Sequence, residues 1–174
     1  MRERVGVTKA RVRSLLAVSL SRLRERVGER VLPTRRQVEC YSWRMPTRAG
    51  DWIAQAERDL RVAQRNREAG EHEWACFAAQ QAAEKAVKAL HLGLGQEARG
   101  QVVARLLREL PIEVPPELVE KARVLDNFYV PTRYPNGHPE GAPFEHYGPL
   151  QSEEARRYAG EIVTFARARL ASTG

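Results

Sequence analysis

The sequence predicts an all-α fold, an up-and-down bundle of four or five helices with a long Pro/Gly-rich loop before the last. Three observations carry this. Apolar residues recur every three or four positions over most of the chain from Asp51 onward. Prolines and glycines gather at the breaks between those periodic stretches. No segment alternates with period two for long enough to form a strand.

The first helix is expected to start at Asp51, as its cap, and to end near Gly70. Trp52, Ile53, Ala56, Leu60 and Ala63 line one side, and Glu57, Arg58, Arg61, Arg65 and Arg67 fill the other. The second runs from about Glu71 to Leu92. Trp74, Ala78, Ala82, Ala86 and Leu90 recur every four residues there, and small side chains at that spacing let a neighbouring helix approach closely. Gly93 and Gly95 stop it. Val102 to Leu110 makes a short third helix closed by Pro111. Pro115 and Pro116 launch a fourth, with Leu118, Val119, Ala122, Leu125 and Phe128 on its apolar side. Val130 to Leu150 is too rich in proline and glycine for a helix. Ser152 is expected to cap the last helix, with Glu153 and Glu154 near its positive end and a buried stripe of Ala155, Tyr158, Ile162 and Phe165.

The chain of 174 residues has 29 Lys+Arg against 22 Asp+Glu, but the excess is local. Residues 1–48 hold 13 Lys or Arg and four Glu; residues 49–174 hold 16 and 18. The second part, the expected helical domain, is therefore slightly acidic, and any affinity for nucleic acid there must come from local placement. No run approaches the ~20 apolar residues that span a bilayer, which excludes an integral helical membrane protein. Two cysteines make no disulfide framework, and no Cys/His spacing suits a zinc finger. A cytoplasmic location is the default expectation.

Residues 1–48 form a basic extension. Lys9 to Val31 can make an amphipathic Arg-rich helix, terminated by Pro33. Three readings stay open: an arm for RNA or a membrane surface, a targeting segment, or disordered sequence translated from a start upstream of the true initiator, Met45. The compositional break favours the last.

The loop is the place to seek chemistry, because long loops without secondary structure are uncommon and often functional. It holds Arg133 and His138 with four residues between them, in RYPNGH. A guanidinium offers a permanent charge and a planar fork of donors matched to phosphate oxygens. An imidazole exchanges protons near neutral pH. The pair supplies what cleavage of RNA without a metal needs: His138 to deprotonate a ribose 2′-OH, Arg133 to hold the phosphate and stabilise charge developing on it. A loop arginine paired with a carboxylate, beside a surface histidine, is the plainer account of the same residues.

The segments DWIAQAERDL and ACFAAQQAAEKAVKALH, with the block LDNFYVPTRYPNGHPEG, resemble the HEPN family of small helical domains. The likeness runs from roughly Asp51 to Leu170. It implies a HEPN-type bundle, and for many members a metal-independent endoribonuclease whose motif is Arg, four to six residues, then His, matched here by Arg133 and His138. It implies a homodimer with the two motifs facing each other, so that one histidine acts as base and its twin as acid. It also implies two kinds of partner: an RNA or nucleotide, and in toxin–antitoxin modules a minimal nucleotidyltransferase antitoxin. Other members are non-catalytic nucleotide-binding or adaptor subunits. The chain departs from the toxin pattern at Tyr134, where a polar residue usually follows the Arg, and at Glu140, where antitoxin-modified members carry Tyr.

Secondary candidates surround the motif. Lys85 and Lys88, with Gln81 and Glu84, share one side of the second helix and either support a phosphate or form a solvated face with a Glu84–Lys88 pair. Tyr129 and Tyr134 are candidates for stacking on bases. His146 and Tyr147 either orient His138 or pack beside it. His72 and His91 read as surface or helix-end residues, and Cys76 as a small core residue. No cofactor or metal is expected: His138, Glu140, Glu145 and His146 lack the helical spacing that would position ligands.

Overall fold

The computed structural model of the chain describes residues 48–173. The expectations for the basic extension, for Met45 as initiator and for Cys40 lie outside the described residues. Within them are five α-helices and no strand: α1 Ala49–Glu68, α2 His72–Gly93, α3 Val103–Arg108, α4 Pro116–Asp126 and α5 Pro149–Thr173. No described helix is long and apolar enough to cross a membrane. The bundle expected from the periodicity is the fold found.

α2 is the central element, packed along α1 on one side and α5 on another. Its composition explains that position. Ala75, Ala79, Ala82, Ala83, Ala86 and Ala89 are fully buried, and Ala56 and Ala63 of α1 and Ala155, Ala159 and Ala166 of α5 are equally inaccessible. With no side chain beyond Cβ at these contacts, the three backbones approach closely and still fill the space. Leu90, Leu106, Leu107, Leu125 and Ile162 supply the bulk.

Gln80 and His91, two of the three buried polar residues of α2, have the partners that burial of polar groups requires. Gln80 donates to the Gln101 carbonyl at 3.1 Å. His91, expected at a surface or helix end, is 3% exposed; its Nε2 donates to the Leu106 carbonyl and its Nδ1 lies 2.9 Å from Gln96 Oε1. Both tie the segment after α2 back onto it. The start of α3 is held from elsewhere: the Asp126 carboxylate accepts from the amides of Val103 at 2.6 Å and Ala104 at 3.1 Å. A carboxylate on free N-terminal amides is a capping interaction, here supplied across 22 residues of sequence instead of from the adjoining position.

The expected caps differ in place. α1 begins two residues before Asp51, which lies in its first turn and accepts from Arg48 Nε at 3.0 Å. α5 begins at Pro149, whose fixed φ suits a first helical position. Ser152 is a fully buried first-turn residue, donating to the Pro149 carbonyl and lying 2.9 Å from His72 Nδ1. Gly70 follows α1 at φ +81°, a left-handed conformation that side chains disfavour. The stretch between α4 and α5 holds two single 3₁₀ turns, Pro135–Gly137 and Pro143–Glu145, so the Pro/Gly-rich loop is ordered.

Candidate functional site

The carbonyls of residues 128–131, in the turn beyond α4, have lost their helical partners, and the loop that follows supplies replacements. Thr132 Oγ1 donates to Phe128 O at 2.6 Å and Arg133 N to Val130 O at 3.1 Å. Arg133 Nε donates to Tyr129 O and His138 Nε2 to Pro131 O, each at 2.9 Å. The two residues of the motif are therefore hung from one short turn, on carbonyls two residues apart.

Arg133 is half-buried among rings. Its guanidinium carbon lies 4.6 Å from the centre of the Phe77 ring, 4.7 Å from Tyr129 and 5.1 Å from Tyr134. Each is within cation–π range. Trp74 meets Phe77 edge-on at 6.2 Å, and Phe77 is tilted against Tyr129 at 6.5 Å. Among the described residues no carboxylate pairs with Arg133, and its terminal nitrogens make no hydrogen bond. The carboxylate partner of the plainer account is not found among the described residues. Aromatic faces and one carbonyl orient the guanidinium, while its bidentate edge keeps its donors.

His138 reaches its carbonyl because Gly137 has no side chain. A Cβ there would stand 2.8 Å from Pro131 Cα, too close for any real contact, so glycine lets the 3₁₀ turn press against Pro131. A carbonyl oxygen only accepts, so Nε2 of His138 carries its hydrogen, and in the neutral ring Nδ1 presents the lone pair. His146 stacks on that ring, and its own Nε2 donates to the Glu140 carbonyl at 2.7 Å. Tyr147 meets His138 edge-on at 5.8 Å and Phe128 at 5.9 Å, which joins the histidine pair to the core. Burial raises the Tyr147 phenol above its ordinary range, with Cys76 adding to it, so the hydroxyl stays protonated.

Arg133, Tyr129 and Tyr134 thus form one cluster, and His138 hangs from the same turn. Lys85 and Lys88 stand apart from it, about 12 and 16 Å along the α2 axis from Phe77 at helical rise. Lys85 pairs with Asp59 of α1 at 2.7 Å. Lys88 pairs with Glu84 at 2.8 Å and lies 5.8 Å from the centre of the Trp52 ring. Trp74, which shares the four-residue spacing of Ala78, Ala82 and Ala86, is 46% exposed and belongs to the aromatic cluster. Phe77 escaped the sequence reading altogether. Its only signal was a second aromatic three residues after Trp74 in an alanine-rich helix, and nothing in that spacing points to residue 133. Among the described residues, no group of three or more His, Cys, Asp or Glu is placed to hold a metal ion. Glu145 instead accepts from the Ala142 amide at 2.7 Å.

The HEPN domain profile matches residues 49–169. The chain belongs to the HEPN domain family. It is similar to TT1696 from Thermus thermophilus, at 50% identity and a TM-score of 0.70, over 71% of this chain and 98% of that one. ST0689, described as an archaeal HEPN homologue, is 39% identical with a TM-score of 0.62, over 70% and 97%. The HEPN domain protein TM0613 from Thermotoga maritima is 36% identical with a TM-score of 0.57, over 70% and 98%. No curated protein matches.

Proposed function

We propose that this HEPN protein is an RNA endonuclease that cuts by internal attack of a ribose 2′-OH. The observation supporting this most directly is the state of Arg133: oriented by three rings and a carbonyl, yet unpaired with any carboxylate among the described residues. A buried-face arginine kept for structure would ordinarily be neutralised; this one keeps its fork for an outside anion. In the proposed step, Nδ1 of His138 takes the proton from the 2′-oxygen. The 2′-oxygen forms a bond to phosphorus and the bond from phosphorus to the 5′-oxygen breaks. The leaving oxygen takes a proton from the imidazolium of a second copy of the chain, giving a 2′,3′-cyclic phosphate and a 5′-hydroxyl. Arg133 holds the non-bridging oxygens as charge grows on them. Tyr129 and Tyr134 flank the phosphate site and offer ring faces to the adjoining bases. The reaction so written needs no metal, and the enzyme it describes is a cytoplasmic homodimer of toxin or defence type.

Purified protein with a chelator present should cut single-stranded RNA to cyclic-phosphate ends. His138→Ala should lower kcat by ~10²–10⁴, and Arg133→Ala by ~10²–10³. An unchanged rate in His138→Ala, or no cutting by the wild type without metal, sinks the proposal.

One feature favours a second reading, a non-catalytic nucleotide-binding or adaptor subunit beside a minimal nucleotidyltransferase. Tyr134, half exposed, lies over the guanidinium at the position where the resemblance implies a polar residue in active toxins. Tight mononucleotide binding by calorimetry, without RNA turnover, would select this reading; the candidate phosphate role of Lys85 and Lys88 would then be tested by their glutamine variants.

A further inference from the structure

The expected helical domain is slightly acidic overall, and most of its described arginines are matched. Arg48 pairs with Asp51, Arg67 with Glu153, Arg99 with Glu97, Arg105 with Glu109, Arg123 with Glu120 and Arg167 with Glu57. Arg156 and Arg157 are paired along α5. Three arginines of α1 are not. Arg58, Arg61 and Arg65 are exposed, have no carboxylate within ion-pairing distance among the described residues, and together with Gln64 surround a shallow groove of about 400 Å³.

Their spacing is three and four residues, so they form one row over ~10 Å of helix axis, on the side of α1 opposite the buried Ala56 and Ala63. Like charges at these spacings oppose helix formation, so the row does nothing for the fold. The neighbouring charges that would have neutralised it are drawn elsewhere: Glu57 turns to Arg167, and Glu68 accepts from Gln64.

We infer that this row is a docking strip for the phosphodiester backbone of single-stranded RNA, separate from the Arg133 cluster and serving to hold substrate outside the cutting site. The inference rests on the RNA reading above and adds to it a second contact surface. Repeated guanidiniums in a line, with no carboxylate among them, match a polymer carrying one charge per nucleotide. An anionic membrane surface suits them less, because an interfacial helix needs a free apolar face, and that of α1 is spent against α2 and α5.

The test uses the full chain carrying His138→Ala, so that bound RNA stays intact, and a labelled single-stranded RNA followed by anisotropy at several salt concentrations. The triple variant Arg58→Gln, Arg61→Gln, Arg65→Gln should bind about tenfold or more weakly at low salt, and the slope of log affinity on log salt should fall by about two. The control Arg99→Gln, Arg105→Gln, Arg123→Gln removes the same charge from exposed, paired arginines and should bind like its parent. Equal losses in both triples would overturn the strip, since net charge alone would then explain them. Unchanged RNA binding with lost adsorption to phosphatidylserine vesicles would also overturn it. Because the readout is binding, a protein that docks RNA through the row but never cuts it would refute the nuclease and leave the strip standing.

Discussion

The imidazoles of His138 and His146 lie parallel, with 2° between their planes and 3.9 Å between their centres. Each ring donates from Nε2 to a carbonyl, His138 to Pro131 and His146 to Glu140. A ring clamped on one face by another ring and on one edge by a hydrogen bond cannot swing, so Nδ1 of His138 is aimed by its neighbours.

His146 is accordingly a positioning residue for the proposed base. His146→Phe keeps a flat ring on His138, whereas His146→Ala removes it. Alanine should lower kcat on the order of tenfold with little change in KM, and phenylalanine should retain most of the rate. Equal losses in the two variants would show that the stack is not what matters.

Gly137→Ala should disturb the same histidine from behind. The added methyl meets the Pro131 backbone, which has no rotamer to escape through, and overpacking of this kind costs about 1–3 kcal/mol. The thermal midpoint should fall, and cleavage should fall further than the lost stability explains, because His138 is pushed off the Pro131 carbonyl. A variant as stable and as active as the wild type would contradict the packing described.

Asp126→Ala tests the long-range cap on α3. Removing a carboxylate from two N-terminal amides should cost on the order of 1 kcal/mol, read as a lower urea midpoint with an unchanged slope. Amides of Val103 and Ala104 should also exchange faster with solvent. Protection that survives the substitution would mean α3 is held by packing alone.

Cys76 should be chemically silent in the folded protein. It is fully buried, and burial, helped by the charge of Glu73, pushes its thiol from 9.0 up to about 12. The fold therefore favours the protonated thiol. That contribution to stability is intact below pH 9 and is lost as pH rises from there toward 12, because only the unfolded chain ionises freely. In a Cys40→Ser background Cys76 is the sole thiol, and a disulfide reagent at about pH 8 should label it only as fast as the protein unfolds. Rapid labelling of native protein would disprove the burial.

The order and type of the helices were legible because the signals are local. Alanines at four-residue spacing in α2, Pro116 at the start of α4 and Gly70 after α1 each act within a turn or two of themselves. Where the caps fall depends on contacts that are not local. Asp51 and Ser152 are good cap residues by type, but the chain starts α1 and α5 earlier, and α3 is capped by Asp126 from another helix. Trp74 shares the four-residue spacing of Ala78, Ala82 and Ala86, yet it is 46% exposed and meets Phe77 edge-on.

By itself, then, the order of residues determined a helical bundle, its breaks, and an Arg133…His138 pair in a proline-rich loop. Only the folded chain decided that Arg133 is framed by Phe77 from α2, that His138 is stacked on His146, and that Arg58, Arg61 and Arg65 find no carboxylate among the described residues while their neighbours are paired. Periodicity and breakers work through backbone geometry within a few residues. Which charge meets which, and which carbonyl is left for a histidine, depends on elements brought together from across the sequence, and no spacing along one helix carries that information.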